Sequence, residues 1–336
     1  MNKRITIKDI AKELNVHHST VSRALRNDPR VNEKTRDLVL TYARKHEYQT
    51  NMNAVQLRGK SNNAIALIVP NINHPFFSDI VSQLTNLAYQ KGYVISVFQS
   101  NEKNKQEKEI VNTIIKHNFA GVIVSIAKDT TNSDHFSALK KFGIPLVFFD
   151  RVCEDIPVPK VLVNNYEITF SATEYLINKG YKRIVHLTGT TSINVFRDRG
   201  KGYCDALTKN ELEYRNPIVI ESDFNIEIGK SIFSKLWNST VKPDAIISSS
   251  VHLTMGILLQ ARTYGVNIPK DLGLISFGTF LSSEIIQPQI TSIEQPEQEI
   301  AEISFELLEK LMTQDLLQDE IEVREVKAEI IFRESC

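Results

Sequence analysis

The chain has 336 residues, 24% of them charged and 42% hydrophobic, an ordinary composition for a folded protein of two or three domains. Its formal net charge is zero, yet residues 1–60 hold 13 Lys+Arg against 6 Asp+Glu, and the remainder holds 27 against 34. A basic head on an acidic body is the distribution expected when only the head meets a polyanion. Three scattered cysteines exclude a disulfide framework, and the charged start, MNKRITIKDIAKEL, excludes a secretion signal. No run of about 18 apolar residues offers a membrane span. The expectation is a soluble cytoplasmic, nucleoid-associated protein that needs no cofactor.

Residues 5–25, ITIKDIAKELNVHHSTVSRAL, read as two short helices. Ile7, Ile10, Ala11 and Leu14 recur at helical spacing, and Asn15-Val16 interrupts them. A second helix starts near His17 with Val21, Ala24 and Leu25 facing inward. Its outward face carries His18, Ser19, Ser22 and Arg23, groups able to bond base edges and phosphates. A helix-turn-helix and a plain helical hairpin both fit this pattern, and the basic surroundings favour the former. Arg26 opens a turn-rich basic loop, and Asn32 is a good N-cap for a third helix over 33–46 with Leu38, Val39, Tyr42 and Ala43 as its buried stripe. Residues 48–63 are polar, with one short helical possibility over 51–58. That segment is either a linker or a helix that forms on DNA beside a partner copy.

From residue 64 the pattern changes. AIALIVP is a continuous apolar run, as in a parallel strand covered on both faces. Helix 77–90, strand 93–98, a helix ending at 117, strand 121–126, helix 134–142 and strand 145–150 follow as βα units. The series repeats with strands 161–164, 183–187, 218–220, 245–249 and 273–277. The helices between them run over 168–179, 199–210, 226–237 and 253–264. This predicts a small all-α head on an α/β bilobed body, two parallel-sheet lobes with a ligand cleft at the carboxyl ends of their strands. The expected domains are 1–48 for the head, 49–63 for the hinge and 64–336 for the body. The first lobe is expected over about 64–160 plus 291–336, the second over about 161–290, with the last helix (296–312) and the strand near Ile330 returning to the first.

Other chemistries find little support. His17-His18 are helix neighbours about 100° apart with no third ligand, so no metal site is expected. Gly200-Lys201-Gly202 lacks phosphate-loop spacing, and Ser248, Ser249 and Ser250 lack a nucleophile-elbow context. No acid/base pair marks an enzyme. A solute-binding protein of a transport system would share the body but not the basic head.

In order and spacing, the chain resembles the lactose/galactose-repressor (LacI) family over nearly its whole length. TIKDIAKELNVHHSTVSRAL followed by PRVNEKTR is similar to that family's head. NHPFFSDI, VFFDR, RDRGKGYCDAL, PDAII, GVNIPKDLGLISF and TSIEQP resemble landmarks of its body. The resemblance implies a transcriptional regulator, a repressor that binds a pseudo-palindromic operator as a homodimer under control of a small molecule such as a sugar. It implies that Ile7, His17, His18, Ser19, Thr20, Ser22, Arg23, Arg26 and Asn32 contact DNA. Leu57 would wedge into the central minor groove, flanked by Asn51 and Ala54. It would place the effector near Phe76, Phe77, Asp150, Arg199 and Phe224, with Ser250 and Gly278 where the family carries hydrogen-bonding side chains. Departures from the pattern are His17 for serine, Arg26 for asparagine, Thr50 for proline, Ser250-Val251 for an Asn-Asp pair, Gly278 for aspartate and Asn164 for aspartate. Those in the body remove strong polar groups from the sugar clamp, so a regulator whose cleft no longer responds to ligand is the competing reading.

Overall fold

The computed structural model describes residues 5–46, 48, 63–210, 218–278, 286–313 and 321–336. The chain forms two compact units, Met1–Asn62 and Asn63–Cys336. The hinge positions Asn51, Ala54 and Leu57 lie outside the described residues.

In the first unit, α1 (Ile7–Glu13) opens on a capping box. Thr6 Oγ1 accepts from the Asp9 N–H, and the Asp9 carboxylate accepts from the Thr6 N–H at 2.8 Å. Asn15 takes a left-handed conformation (φ 50°), which turns the chain sharply into α2 (His18–Ala24). Asn32 caps α3 (Glu33–Lys45) by accepting from the Lys34 N–H at 2.8 Å. The core is Ile10, Ala11, Val21, Ala24, Val31, Val39 and Ala43. Leu38, expected in the buried stripe of α3, is 52% exposed; the helix meets its partners along Val39 and Ala43 instead. Arg36 holds the preceding loop by donating to the carbonyls of Asp28 and Val31 at 3.1 and 3.0 Å.

The second unit contains β1 (Ala64–Val69), α4 (Pro75–Gln90), β2 (Val94–Gln99), α5 (Asn104–Lys116), β3 (Gly121–Val124), α6 (Asp134–Lys141), β4 (Leu146–Phe149) and β5 (Lys160–Val163). Then come α7 (Asn165–Asn178), β6 (Ile184–Thr188), α8 (Asn194–Lys209), β7 (Ile218–Glu221), α9 (Ile226–Trp237), β8 (Ala245–Ser248), α10 (Val251–Thr263) and β9 (Gly273–Phe277). β10 (Thr291–Glu294), α11 (Glu297–Thr313), β11 (Val323–Val326) and β12 (Glu329–Ile331) complete it.

The strands build two six-stranded sheets, in the orders β11-β5-β4-β3-β1-β2 and β12-β10-β9-β8-β6-β7. Among the described residues, every pairing is parallel except β10 with β12. The continuous apolar run of β1 follows from this layering. Ile65, Leu67 and Val69 face a core shared with Ile80 and Leu84 of α4 and Phe305 of α11, while Ala66 and Ile68 face Ile114 of α5 and Phe136 of α6. The second sheet is covered likewise, by Leu176 of α7 and Tyr203 of α8 on one side and Phe233 of α9 and Ile257 of α10 on the other. α9 and α10 approach so closely that a Cβ on Gly256 would lie 2.2 Å from the Ile226 carbonyl oxygen.

The lobe assignment made from sequence needs correction. β5 pairs with β4 and β11 in the first sheet, whereas β10 and β12 lie in the second. Of the returning elements, α11 packs on α4, β3 and β4 of the first lobe, and β11 rather than β12 joins its sheet. The chain thus crosses between lobes three times, after β5, after β10 and after β11. Asn164 ties two crossings together: its Oδ1 accepts from the Ala328 N–H at 2.8 Å and its N–H donates to the Val326 carbonyl at 3.1 Å. Its amide is a fastener between crossings.

Candidate functional site

Two surfaces invite function, one in each unit. On the head, α2 presents His18 and Arg23 to solvent, with Ser19 and Thr20 half-buried beside them. Ser19 and Arg23 are four residues apart and share one helical face. His17 is the N-cap of α2: its Nδ1 accepts from the Ser19 N–H and lies 2.8 Å from Ser19 Oγ. An imidazole here does what a serine hydroxyl does at most N-caps. His17 also lies against His18, ring centroids 4.1 Å apart.

Ser22, expected on the outward face, is 7% exposed. Arg26 folds back over it, donating Nη2 to Ser22 Oγ and Nε to the Ser22 carbonyl, both at 2.9 Å. The two form a clip at the end of α2. Ile7 is half-buried and packs against the head core, and Asn32 is exposed at the start of α3.

In the body, a cleft of about 1170 Å³ opens between the lobes. Its lining follows the strand ends: Asn71 after β1, Glu102 after β2, Lys128 after β3 and Arg151 after β4 in the first lobe. Gly189 after β6, Ser222 after β7 and His252 after β8 face them from the second. Carboxyl ends of parallel strands converge on such crevices because each βα connection leaves its loop there.

Of the seven effector positions expected from sequence, Phe77 and Phe224 lie on this wall. Phe76 is buried in the first-lobe core. Asp150 is buried behind the cleft with φ 57°, its carboxyl raised by burial against the opposing pull of Arg151 and Arg199. Arg199 is buried too, donating Nε to Asn165 Oδ1 at 2.7 Å with its guanidinium 3.6 Å from the Phe277 ring centroid. Burial pulls that guanidinium down to about 9. Ser250 is the buried N-cap of α10, accepting from the His252 N–H at 3.2 Å. Gly278 (φ +94°) ends β9 and donates its N–H to the Ile293 carbonyl at 2.9 Å. These five are framework for the cleft rather than its surface.

Sequence reasoning passed over His74, Glu102, Lys128, Phe196, Glu221, Asp223 and His252, all on the wall. Their signal was position, directly beyond a strand or at a helix start facing one. Several join the lobes. Lys128 pairs with Asp223, and His74 meets His252 edge-on with centroids 5.9 Å apart. Burial, with Arg151 next in weight, drives the His74 imidazole down to about 3, so it is neutral at physiological pH. Arg151 lies between Phe77 of the first lobe and Phe196 of the second, 5.6 and 5.2 Å from their centroids, and donates to both Glu102 oxygens at 2.8 and 2.9 Å. Among the described residues, no group of three His, Cys, Asp or Glu is placed to hold a metal, and no helix is long and apolar enough to cross a membrane.

Residues 62–334 match the family described as periplasmic binding proteins and sugar binding domain of the LacI family, and residues 6–51 match bacterial regulatory proteins of the lacI family. The chain belongs to the LacI family. It is a DNA-binding transcriptional regulator with a periplasmic-binding-protein-like effector domain. Among its relatives, the NTD biosynthesis operon regulator NtdR of Bacillus subtilis (strain 168) is 30% identical, covering 87% of this chain and 88% of NtdR. Catabolite control protein A of Priestia megaterium is 28% identical, covering 94% and 95%. In fold, this LacI-family chain resembles the lac repressor dimer bound to operator and the anti-inducer ONPF, with a TM-score of 0.84, 22% identity and 99% of both chains covered. It also resembles the CelR–cellobiose complex, with a TM-score of 0.74, 22% identity and coverage of 99% and 100%.

Proposed function

We propose that this LacI-family protein is a repressor that binds a pseudo-palindromic operator as a homodimer, under control of a small effector in the interlobe cleft. One observation carries the reading: a capped α2 exposes His18 and Arg23, with Ser19 half-buried beside them, on a basic unit that has its own core. Arg23 reads a guanine through its O6 and N7, and His18 and Ser19 contact bases near the start of the helix. His17 and Asn32 add contacts beside their capping roles, Thr20 and Ile7 approach the backbone, and Arg26 reaches phosphate from its clip on Ser22. Two heads on one duplex read half-sites related by the dimer's two-fold axis.

Leu57, flanked by Asn51 and Ala54, wedges the central minor-groove step in this reading. Effector binding alters the angle between the lobes and so the spacing of the two hinges. A ligand favouring the DNA-incompetent arrangement induces, and one favouring the competent arrangement corepresses.

Genome-wide capture of DNA bound to the full-length protein tests the proposal. Captured fragments are expected to share a two-fold symmetric motif upstream of genes whose transcripts rise when the protein is deleted. Fragments without dyad symmetry, or transcripts that fall on deletion, refute the dimeric-repressor reading.

A further inference from the structure

The cleft wall is unequally charged. Among the described residues, five carboxylates face it (Glu102, Asp129, Glu221, Asp223 and Glu227) against the two cations Lys128 and Arg151. Glu102 is taken by Arg151, Asp223 by Lys128, and Glu227 by Lys230 at 2.8 Å. The other two bond only to neutral groups among the described residues. Asp129 accepts from the Asn104 N–H at 2.6 Å, and Glu221 accepts from the Thr191 hydroxyl at 2.6 Å and its N–H at 3.2 Å. A phosphorylated or carboxylated ligand would meet this surplus of like charge.

A second observation is independent of charge. Three hydroxyls lie at the carboxyl ends of the neighbouring strands β7, β6 and β8: Ser222, Thr188 and Ser249. Each has a buried Oγ with no hydrogen-bond partner among the described residues. Thr188 is 0% exposed and Ser249 4%, and the Thr188 carbonyl accepts from the N–H of Ser222, which lines the cleft. His74 Nδ1, on the opposite wall, is likewise unpartnered. Buried polar groups seldom go unpartnered without a function or a bound molecule to satisfy them.

We propose that the cleft takes a small aminated polyol, an amino sugar in chemical class. Its ammonium group pairs with Glu221, which directly precedes Ser222, and Asp129 adds to the negative potential. Its hydroxyls bond Ser222 Oγ and His74 Nδ1 across the cleft, and its apolar face lies on Phe224. This inference rests on the reading of the cleft as the effector site.

The test titrates the full-length protein calorimetrically with two matched sets, glucose, glucosamine and glucose 6-phosphate, and galactose, galactosamine and galactose 6-phosphate. Operator affinity is followed in the same samples. At least one amino sugar should bind about tenfold or more tightly than its neutral counterpart, with neither phosphate binding, and Glu221→Gln should erase that preference. A neutral or phosphorylated member binding as well as its amino counterpart in both sets, or a preference that survives Glu221→Gln, overturns the assignment. If that member also shifts operator affinity, the effector-site reading survives while the amine assignment fails. If none of the six binds or shifts operator affinity, both fail.

Discussion

Asn194, at the start of α8 in the second lobe, grips the first lobe on both sides of Arg151. Its amide donates to the Asp150 carbonyl at 2.9 Å, and its carbonyl accepts from the Val152 N–H at 3.1 Å. The side chain is buried, and so are Asp150 and Val152. Asn194→Ala strands a donor and an acceptor in the interface, which should cost about 2–3 kcal/mol of stability. Denaturant unfolding measures it; a loss under about half a kcal/mol would mean that water replaces the grip without penalty.

His17 offers a finer test in the head. Its Nδ1 caps α2, so His17→Ala should cost about 1 kcal/mol, while His17→Ser should keep most of it. Thermal unfolding of the head transition, compared across the two variants, reads the difference.

Arg23 should determine sequence preference rather than overall grip. Arg23→Ala is expected to flatten discrimination among single-base operator variants by about 1–3 kcal/mol. Competition binding at fixed salt measures this. A uniform loss across all sequences would show that the residue meets phosphate instead.

Gly256 and Gly229 bring α9 and α10 into backbone contact; a Cβ on Gly229 would lie 2.4 Å from the Leu253 carbonyl oxygen. Gly256→Ala should therefore destabilise the second lobe by about 1–3 kcal/mol, despite alanine's better helix propensity. Chemical denaturation checks the sign: stabilisation would mean the helices separate freely.

Glu297, at the start of α11, is raised to about 7 by burial, with Asp79 and Glu294 adding to the effect. A raised carboxyl favours the folded state while protonated. The contribution is therefore complete below about 4.5 and is lost as pH rises through 7. The native protein should lose stability between about pH 5 and 8 by more than Glu297→Gln does. Identical pH profiles for the two would remove this role.

Much of the fold was legible because parallel strands covered on both faces are continuous apolar runs, and AIALIV and GLISF cannot easily be anything else. β11, VREV, was not, since three of its four residues are exposed at a sheet edge. Nor was the sheet to which β5 (KVLV) or β10 (TSIE) belongs, because both are four-residue strands whose partners are chosen by crossings that leave no local mark. α8 begins five residues before the expected start at residue 199, and Gly202 within it lets α7 approach, a Cβ there meeting the Tyr166 carbonyl oxygen at 2.3 Å. The cleft was legible as a location but not as a surface. VFFDR runs from β4 to the rim of the cleft and RDRG lies inside α8, yet Asp150 and Arg199 turn away from the cleft while the equally buried Arg151 lines it, and sequence spacing does not encode that choice.

The three crossings have a consequence for synthesis. The first sheet lacks its β11 edge, and α11 its place, until residues 297–326 have left the ribosome, while the second sheet waits for β12 at 329–331. Neither lobe can be completed before the other is nearly so, and the two should mature together in a single late step. The described core of the head lies within residues 5–48, and nascent chains should carry a finished head long before the cleft can hold a ligand.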